Sequence, residues 1–218
     1  PLSFAELANI AQIGGQMGIA TAGLAGFTET VAKFVATADG ATIETSTQAF
    51  GRMANLFASD LSGEEQADFF NRLGAAISYT ADNAVTSEAK IVSMLEKIAP
   101  VGAQFGMAAE DVVAFASALS SVGLQPEISS GFMTRFFGQL NKDIASGGDK
   151  LDAYNRLLGT TSNEFKKLYA DDPSAVLQNL IQALSGMDKI SRTSALGELG
   201  IKATRDQRVI AALAENYH

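Results

Sequence analysis

The chain has 218 residues, 47% of them hydrophobic, with 20 Gly, 4 Pro, no Cys and a formal net charge of −8. That length buries a core without covalent staples, and the composition is that of a helix-rich globular protein. Disulfide and thiolate chemistry are excluded, and the 16 Lys and Arg are scattered, only Lys166-Lys167 being adjacent, so the chain lacks the basic cluster that displaces counterions from a nucleic-acid backbone. Sequence-specific nucleic-acid binding is not expected. The acidic balance favours solubility and repels DNA passing close by. The chain opens on Pro1 without an initiator Met, so we expect a portion of a longer protein, and it shows no signal-peptide pattern.

Ser3 to Glu6 is a capping-box pattern, in which hydroxyl and carboxylate each take a free backbone N–H. A helix carrying Phe4, Leu7, Ala8 and Ile10 follows. From Leu7 to Thr28 there is no charge, and Gly14, Gly15, Gly18, Gly23 and Gly26 interrupt the run. A membrane-spanning helix needs ~20 apolar residues, and Gly14-x-x-x-Gly18 is a spacing used by packed membrane helices. Gln12, Gln16, Thr21 and the glycines make the stretch only mildly apolar, and it has no aromatic belts and no flanking Lys/Arg bias. We therefore read residues 7–28 as two buried, closely packed helices joined near Gly18–Thr21, with membrane insertion as the rival reading.

Thr28 to Thr37 continues as a helix with Val31, Phe34 and Val35, ended by Asp39-Gly40. Thr42 to Phe57 is the next, with Ala49, Phe50, Met53, Leu56 and Phe57 as its apolar positions. Ser62 to Glu65 is a second capping box, before a helix whose stripe is Phe69, Leu73 and Ile77. Tyr79 to Asn83 reads as a turn and Thr86-Ser87 as a helix start. The pattern from Ile91 to Phe105 contains Pro100, which should kink or end it. Gly102 and Gly106 then allow a reversal, Glu110-Asp111 opens the next helix, and Gly123 stops it. Gln125-Pro126 restarts the chain, since proline suits a first helical turn. Phe132, Phe136, Phe137 and Leu140 form the most aromatic patch.

Ser146-Gly147-Gly148 is the best linker, dividing residues 1–145 from a C-terminal helical subdomain at 146–218. There, Leu151, Tyr154, Leu157 and Leu158 mark a helix closed by Gly159. Thr161 to Glu164 is a third capping box, and Asp172-Pro173 starts the run Val176, Leu177, Leu180, Ile181 and Leu184. Asp188 to Leu199 is a further helix, and Thr204 to Gln207 a fourth cap before Val209, Ile210 and Leu213. No strand alternation persists. The expected fold is all-α, a compact multi-helix bundle of about ten short helices built from αα-hairpins.

No constellation for catalysis stands out. The only His is His218, which leaves no Ser-His-Asp or His-metal arrangement. The adjacent pairs Glu64-Glu65, Glu110-Asp111 and Asp171-Asp172 point about 100° apart on a helix and sit where helix starts are expected, so they read as dipole partners. The glycine-rich segments lack a Gly-Lys-Ser/Thr ending for phosphates. No cofactor and no metal are expected, and the chain is not read as an enzyme. Gly14, Gly15, Gly18, Gly102, Gly106, Gly123 and Gly131, with Phe132, Phe136 and Phe137, are the candidate helix-packing or interface residues. An exposed part of Phe69-Phe70 or of Phe132–Phe137 would mark a partner surface.

The order Leu73-Gly74, Tyr79-Thr80-Ala81-Asp82-Asn83, Thr86-Ser87, Gly102 and Gly106, then Gly123, Glu127, Gly131 and Arg135, resembles the core region of phage tail tape-measure proteins. Leu196-Gly197-Glu198-Leu199-Gly200-Ile201 with Arg208-Val209-Ile210 looks like the end of that region. The resemblance covers most of the chain and weakens between about 140 and 185. Gly131-Phe132-Met133 departs from the expected Gly-Thr-Ala. Such proteins sometimes carry a cell-wall lytic domain, but the catalytic Glu-Ser and Gly-Leu-Met-Gln-like segments of helical transglycosylases are absent.

The resemblance implies a structural and assembly role in a virion tail, setting its length and put together in the bacterial cytoplasm. The implied partners are tail-tip, tube and chaperone proteins, together with self-association. A ruler needs long unbroken heptads rising ~1.5 Å per residue. The frequent stops and caps instead suggest a folded module attached to the ruler.

Overall fold

The computed structural model describes residues 2–216, so Pro1 and His218 lie outside the described part. Among the described residues there are twelve α-helices and no strand, two helices more than the sequence suggested. The fold is all-α. The helices gather into two compact units. One comprises the chain through residue 104 plus residues 108–126, and the other residues 105–107 and 127 onward.

The first unit holds α1 (Phe4–Gln16), α2 (Thr21–Thr37), α3 (Ile43–Phe57), α4 (Gly63–Asp82), α5 (Glu88–Gln104) and α6 (Ala109–Ser121). α5 and α6 form a tight hairpin. α2 lies along α4, and α1 packs on α2 and α3. The core is aromatic and aliphatic. Phe27 meets the edge of Phe70 at 5.1 Å and Phe34 tilts against Phe50 at the same distance, around buried Ile77, Ile91 and Leu95. Such pairs add roughly 0.5–1.5 kcal/mol beyond area burial.

The second unit holds α7 (Pro126–Ser146, whose first residue belongs to the first unit), α8 (Asp149–Leu158), α9 (Ser162–Asp171), α10 (Pro173–Ser185), α11 (Lys189–Glu198) and α12 (Thr204–Glu215). α10 is the central element, touching α8, α9 and α12. Ser146-Gly147-Gly148 lies within this unit, where Gly147 and Gly148 take φ of +67° and +79° to join α7 to α8.

Local chemistry starts several of these helices. The Ser3 hydroxyl accepts the Glu6 N–H at 3.3 Å while the Glu6 carboxylate accepts the Ser3 N–H at 2.7 Å. Thr161 and Glu164 repeat the exchange at 3.3 and 2.7 Å, and Glu65 accepts the Ser62 N–H at 2.9 Å. Asp172 caps α10 through the Ala175 N–H at 3.1 Å, with Pro173 at its first position. Asp188 takes the Ile190 and Ser191 amides at the start of α11.

Several expectations are corrected. α4 continues through Tyr79–Asp82, and the turn begins only at Asn83. Gly102 is buried inside α5, so the reversal falls to Gly106, at φ +77°. Thr204 is already helical, its cap position being Ala203, and the Gln207 amide instead donates to the Ile201 carbonyl at 2.8 Å. Asp171 ends α9 and opens no helix. Pro100 does not end α5, which runs on to Gln104 with the proline facing solvent. Proline lacks the N–H that the carbonyl four residues earlier would accept. That carbonyl belongs to Glu96, and the Arg52 guanidinium of α3 donates to it at 3.3 Å. A tertiary bond thus replaces the missing helical one.

Candidate interaction surfaces

The glycines singled out by sequence divide into three kinds. Gly14 is a close approach: a Cβ there would stand 2.6 Å from Phe27 Cε1 and 3.0 Å from Leu24 Cδ1. Gly18, Gly106 and Gly123 are turns, with φ of +88°, +77° and +75°, a region that side chains disfavour. Gly15 is exposed with open space around it, Gly102 is buried within α5, and Gly131 faces the Arg135 guanidinium on α7. Close approaches that the candidate set omitted are Gly26 on Ala67, Gly63 on Ala22 and Gly23 on the Gln66 side chain. They hold α2 against α4.

Phe132, Phe136 and Phe137 are buried at 1%, 5% and 0% exposure, as are Phe69 and Phe70. Phe105 stacks on Phe137 at 5.4 Å, and Phe136 meets Phe137 edge-on at 5.1 Å. Both patches are core, and neither presents a surface.

The second unit is held by polar side-chain contacts, of which the Arg135–Asp206 pair is the most distant in sequence. Arg135 on α7 grips Asp206 of α12 through both oxygens, at 2.9 and 2.5 Å, and those hydrogen bonds push its pKa higher still. Arg192 of α11 donates to the Leu184 and Met187 carbonyls at 3.2 and 3.1 Å and pairs with Glu215 at 2.7 Å. It thereby closes the open C-terminal end of α10. Asp143 receives the Gln139 amide at 2.8 Å. Burial, and then the Asp143 charge, push the Tyr154 phenol pKa far up, so it stays protonated. These groups serve packing. Among the described residues no group of three or more His, Cys, Asp or Glu could hold a metal ion.

The stretch 7–28 is divided between α1 and α2 by the turn at Gly18, as expected, but α1 is not the buried helix the sequence suggested: only its Ile10 and Gly14 are buried. Among the described residues no helix is long and apolar enough to cross a membrane. The outer face of this hairpin carries a shallow groove of about 570 Å³, with Leu7, Ala11, Leu24, Ala25 and Thr28 among its lining residues. Lys33 and Glu29, paired at 2.6 Å, lie on its edge. Phe4 stands one turn ahead of Leu7 and is 87% exposed. The sequence pattern counts Phe4 as a core position, because periodicity marks a face without saying whether anything covers it.

A second groove, of about 790 Å³, runs beside α8 and α11. Leu157, Met187 and Leu199 line it, Ile190 stands 83% exposed, and the Arg156–Glu198 pair at 3.4 Å lies along it. Charge is also uneven. The first unit carries thirteen Asp and Glu against five Lys and Arg, and the second eleven of each, so the whole net charge resides in the first.

A family model described as phage-related minor tail protein matches residues 1–200. No curated protein and no solved structure matches the chain.

Proposed function

Because the chain belongs to the phage-related minor tail protein family, and so to the structure and assembly of a virion tail, we propose that it is a folded helical module of a tail tape-measure protein. The motif order from Leu73-Gly74 to Arg135 supports the tape-measure reading within that family. One observation carries the module reading: the longest helix among the described residues, α7, has 21 residues, and caps or positive-φ glycines recur at the joints. A ruler stretch would be a long helix with a sustained heptad seam. The work of such a module is binding, to tail-tip, tube or chaperone proteins during assembly, with no reactive centre.

In-frame removal of α8–α12 from the phage gene tests this by electron microscopy of tails. The module reading expects loss of assembled tails, with unchanged length in any that form. A uniform shortening of about 100 Å, the ~1.5 Å rise per residue summed over the deleted stretch, would overturn it and make these residues part of the ruler.

A further inference from the structure

A cavity of about 410 Å³ lies within the second unit, between α7, α8 and the loop that enters α12. That is the size of a small-ligand site. Phe132, Phe136 and Ile201 give it apolar walls. Tyr154 lines it as well, although it is only 1% exposed. The Tyr154 ring packs on Phe165 at 5.4 Å, but its hydroxyl has no hydrogen-bond partner among the described residues. Buried hydroxyls are ordinarily paired, so this one is a donor without an acceptor.

The charges around the cavity are one-sided. Arg135, Lys142 and Lys202 line it against a single carboxylate, Asp206, whose two oxygens are both held by Arg135. Lys142 and Lys202 are exposed and have no ion-pair partner among the described residues. Asp143, whose charge acts on Tyr154, is 3% exposed and is met by the Gln139 amide at 2.8 Å and the Lys150 ammonium at 3.6 Å. The uncompensated charge here is therefore positive, in a chain whose net charge is −8. α12 also begins at this place. Its cap position, Ala203, lines the cavity and offers no side chain to the first-turn N–H groups, an arrangement that favours an anion.

We propose that this cavity binds an organic carboxylate that carries an apolar group. Lys142, Lys202 and the Tyr154 hydroxyl hold the acid, and Phe132, Phe136 and Ile201 receive the apolar group. The acid comes either as a free small molecule or as the side chain of an Asp or Glu beside an apolar residue in another protein. The site stands independently of the tail-assembly reading.

Heteronuclear NMR of the full chain, titrated with phenylacetate and separately with the blocked peptide acetyl-Phe-Glu-amide, tests it. At least one of the two shifts the amides bordering the cavity. It binds about ten-fold or more tightly than phenylacetamide, which lacks the charge, and than inorganic phosphate, which lacks the apolar group. Phenylacetate alone marks a free acid as the ligand, whereas the peptide, alone or with it, marks a protein segment. Lys142→Gln combined with Lys202→Gln weakens binding about ten-fold. Lys166→Gln combined with Lys167→Gln, an equal change of charge on exposed residues of α9, leaves it intact. Tyr154→Phe weakens binding by about ten-fold with unchanged Tm, because its hydroxyl has no partner in the described chain to lose. Failure of both probes to bind, equal binding of phenylacetamide or phosphate, or indifference to either the lysine pair or Tyr154→Phe overturns the proposal. A lower Tm for Tyr154→Phe with unchanged affinity assigns the hydroxyl to the fold and overturns it equally.

Discussion

Gly14 and Gly15 are neighbours in one helix, and alanine at each should move stability in opposite directions. At Gly14 the new Cβ would lie 2.6 Å from Phe27 Cε1 and 2.7 Å from Cδ1. Carbon atoms in good contact are ~3.5–4.0 Å apart, so α1 must retreat by roughly an ångström or the ring must turn. The ring is fixed: Phe27 is 0% exposed and packs edge-to-face with Phe70. Overpacking of this kind costs about 1–3 kcal/mol. At Gly15 a Cβ meets nothing within 4 Å. There alanine only restricts the unfolded chain and favours the helix, a gain of about 0.5–1 kcal/mol. The propensity gain is common to both variants, so the difference between them isolates the contact with Phe27. For a chain of this size ~1 kcal/mol moves Tm by about 2–4 °C, which puts Gly14→Ala roughly 2–12 °C below Gly15→Ala. Thermal unfolding followed by circular dichroism measures it. Coincident Tm values would refute the close approach of α1 to α2, and with it the packing on which the exposed groove is built.

Arg52→Ala should cost about 1 kcal/mol in the natural chain and almost nothing once Pro100→Ala restores the N–H that the Glu96 carbonyl lacks. Urea melts of the four proteins in that double-mutant cycle give the coupling, and additive losses would count against the replacement bond. Arg192→Met leaves two carbonyls at the end of α10 and the Glu215 carboxylate without their donor, at a cost of about 3 kcal/mol, whereas Glu215→Gln, whose partner keeps its two carbonyls, loses far less. Equal losses from the two substitutions would argue against Arg192 as a cap. The carboxylates of Glu6, Glu65, Glu164 and Asp188 are held below their ordinary values by backbone and side-chain hydrogen bonds at helix starts. Groups shifted this way contribute in full above the ordinary carboxylate range, and their contribution fades as pH falls through the lowered folded values. The combined Glu6→Gln and Glu164→Gln chain should therefore lose less Tm than the natural chain does between about pH 5 and about pH 3, a window that brackets the ordinary glutamate value. An identical acid slope would show that these caps are not formed in solution.

The capping boxes and the α7 stripe were legible because their physics is local. An N-cap reads a partner three residues away, and Phe132, Phe136, Phe137 and Leu140 repeat at spacings of three and four. What escaped the sequence depends on distant residues. Pro100 stays inside a helix, and the carbonyl it leaves without a helical partner is met by Arg52 on another helix. Gly14 and Gly15 look alike until Phe27 is placed over one of them. The burial of Gln66, Arg192 and Asp206 needs partners that no periodicity reveals. Phe4 failed for the opposite reason: its pattern is that of a core residue, and only the packed structure shows that none of the described residues covers it.

Phe105 and Met107 come from the loop after α5, yet belong with the helices beyond residue 127, where the Phe105 ring rests against Phe137. A dissection at residue 126, the obvious place to split the gene into two expression products, would hand that ring to the wrong half. The C-terminal product would begin life with a void opposite Phe137, and the N-terminal one with an ownerless aromatic side chain inviting aggregation.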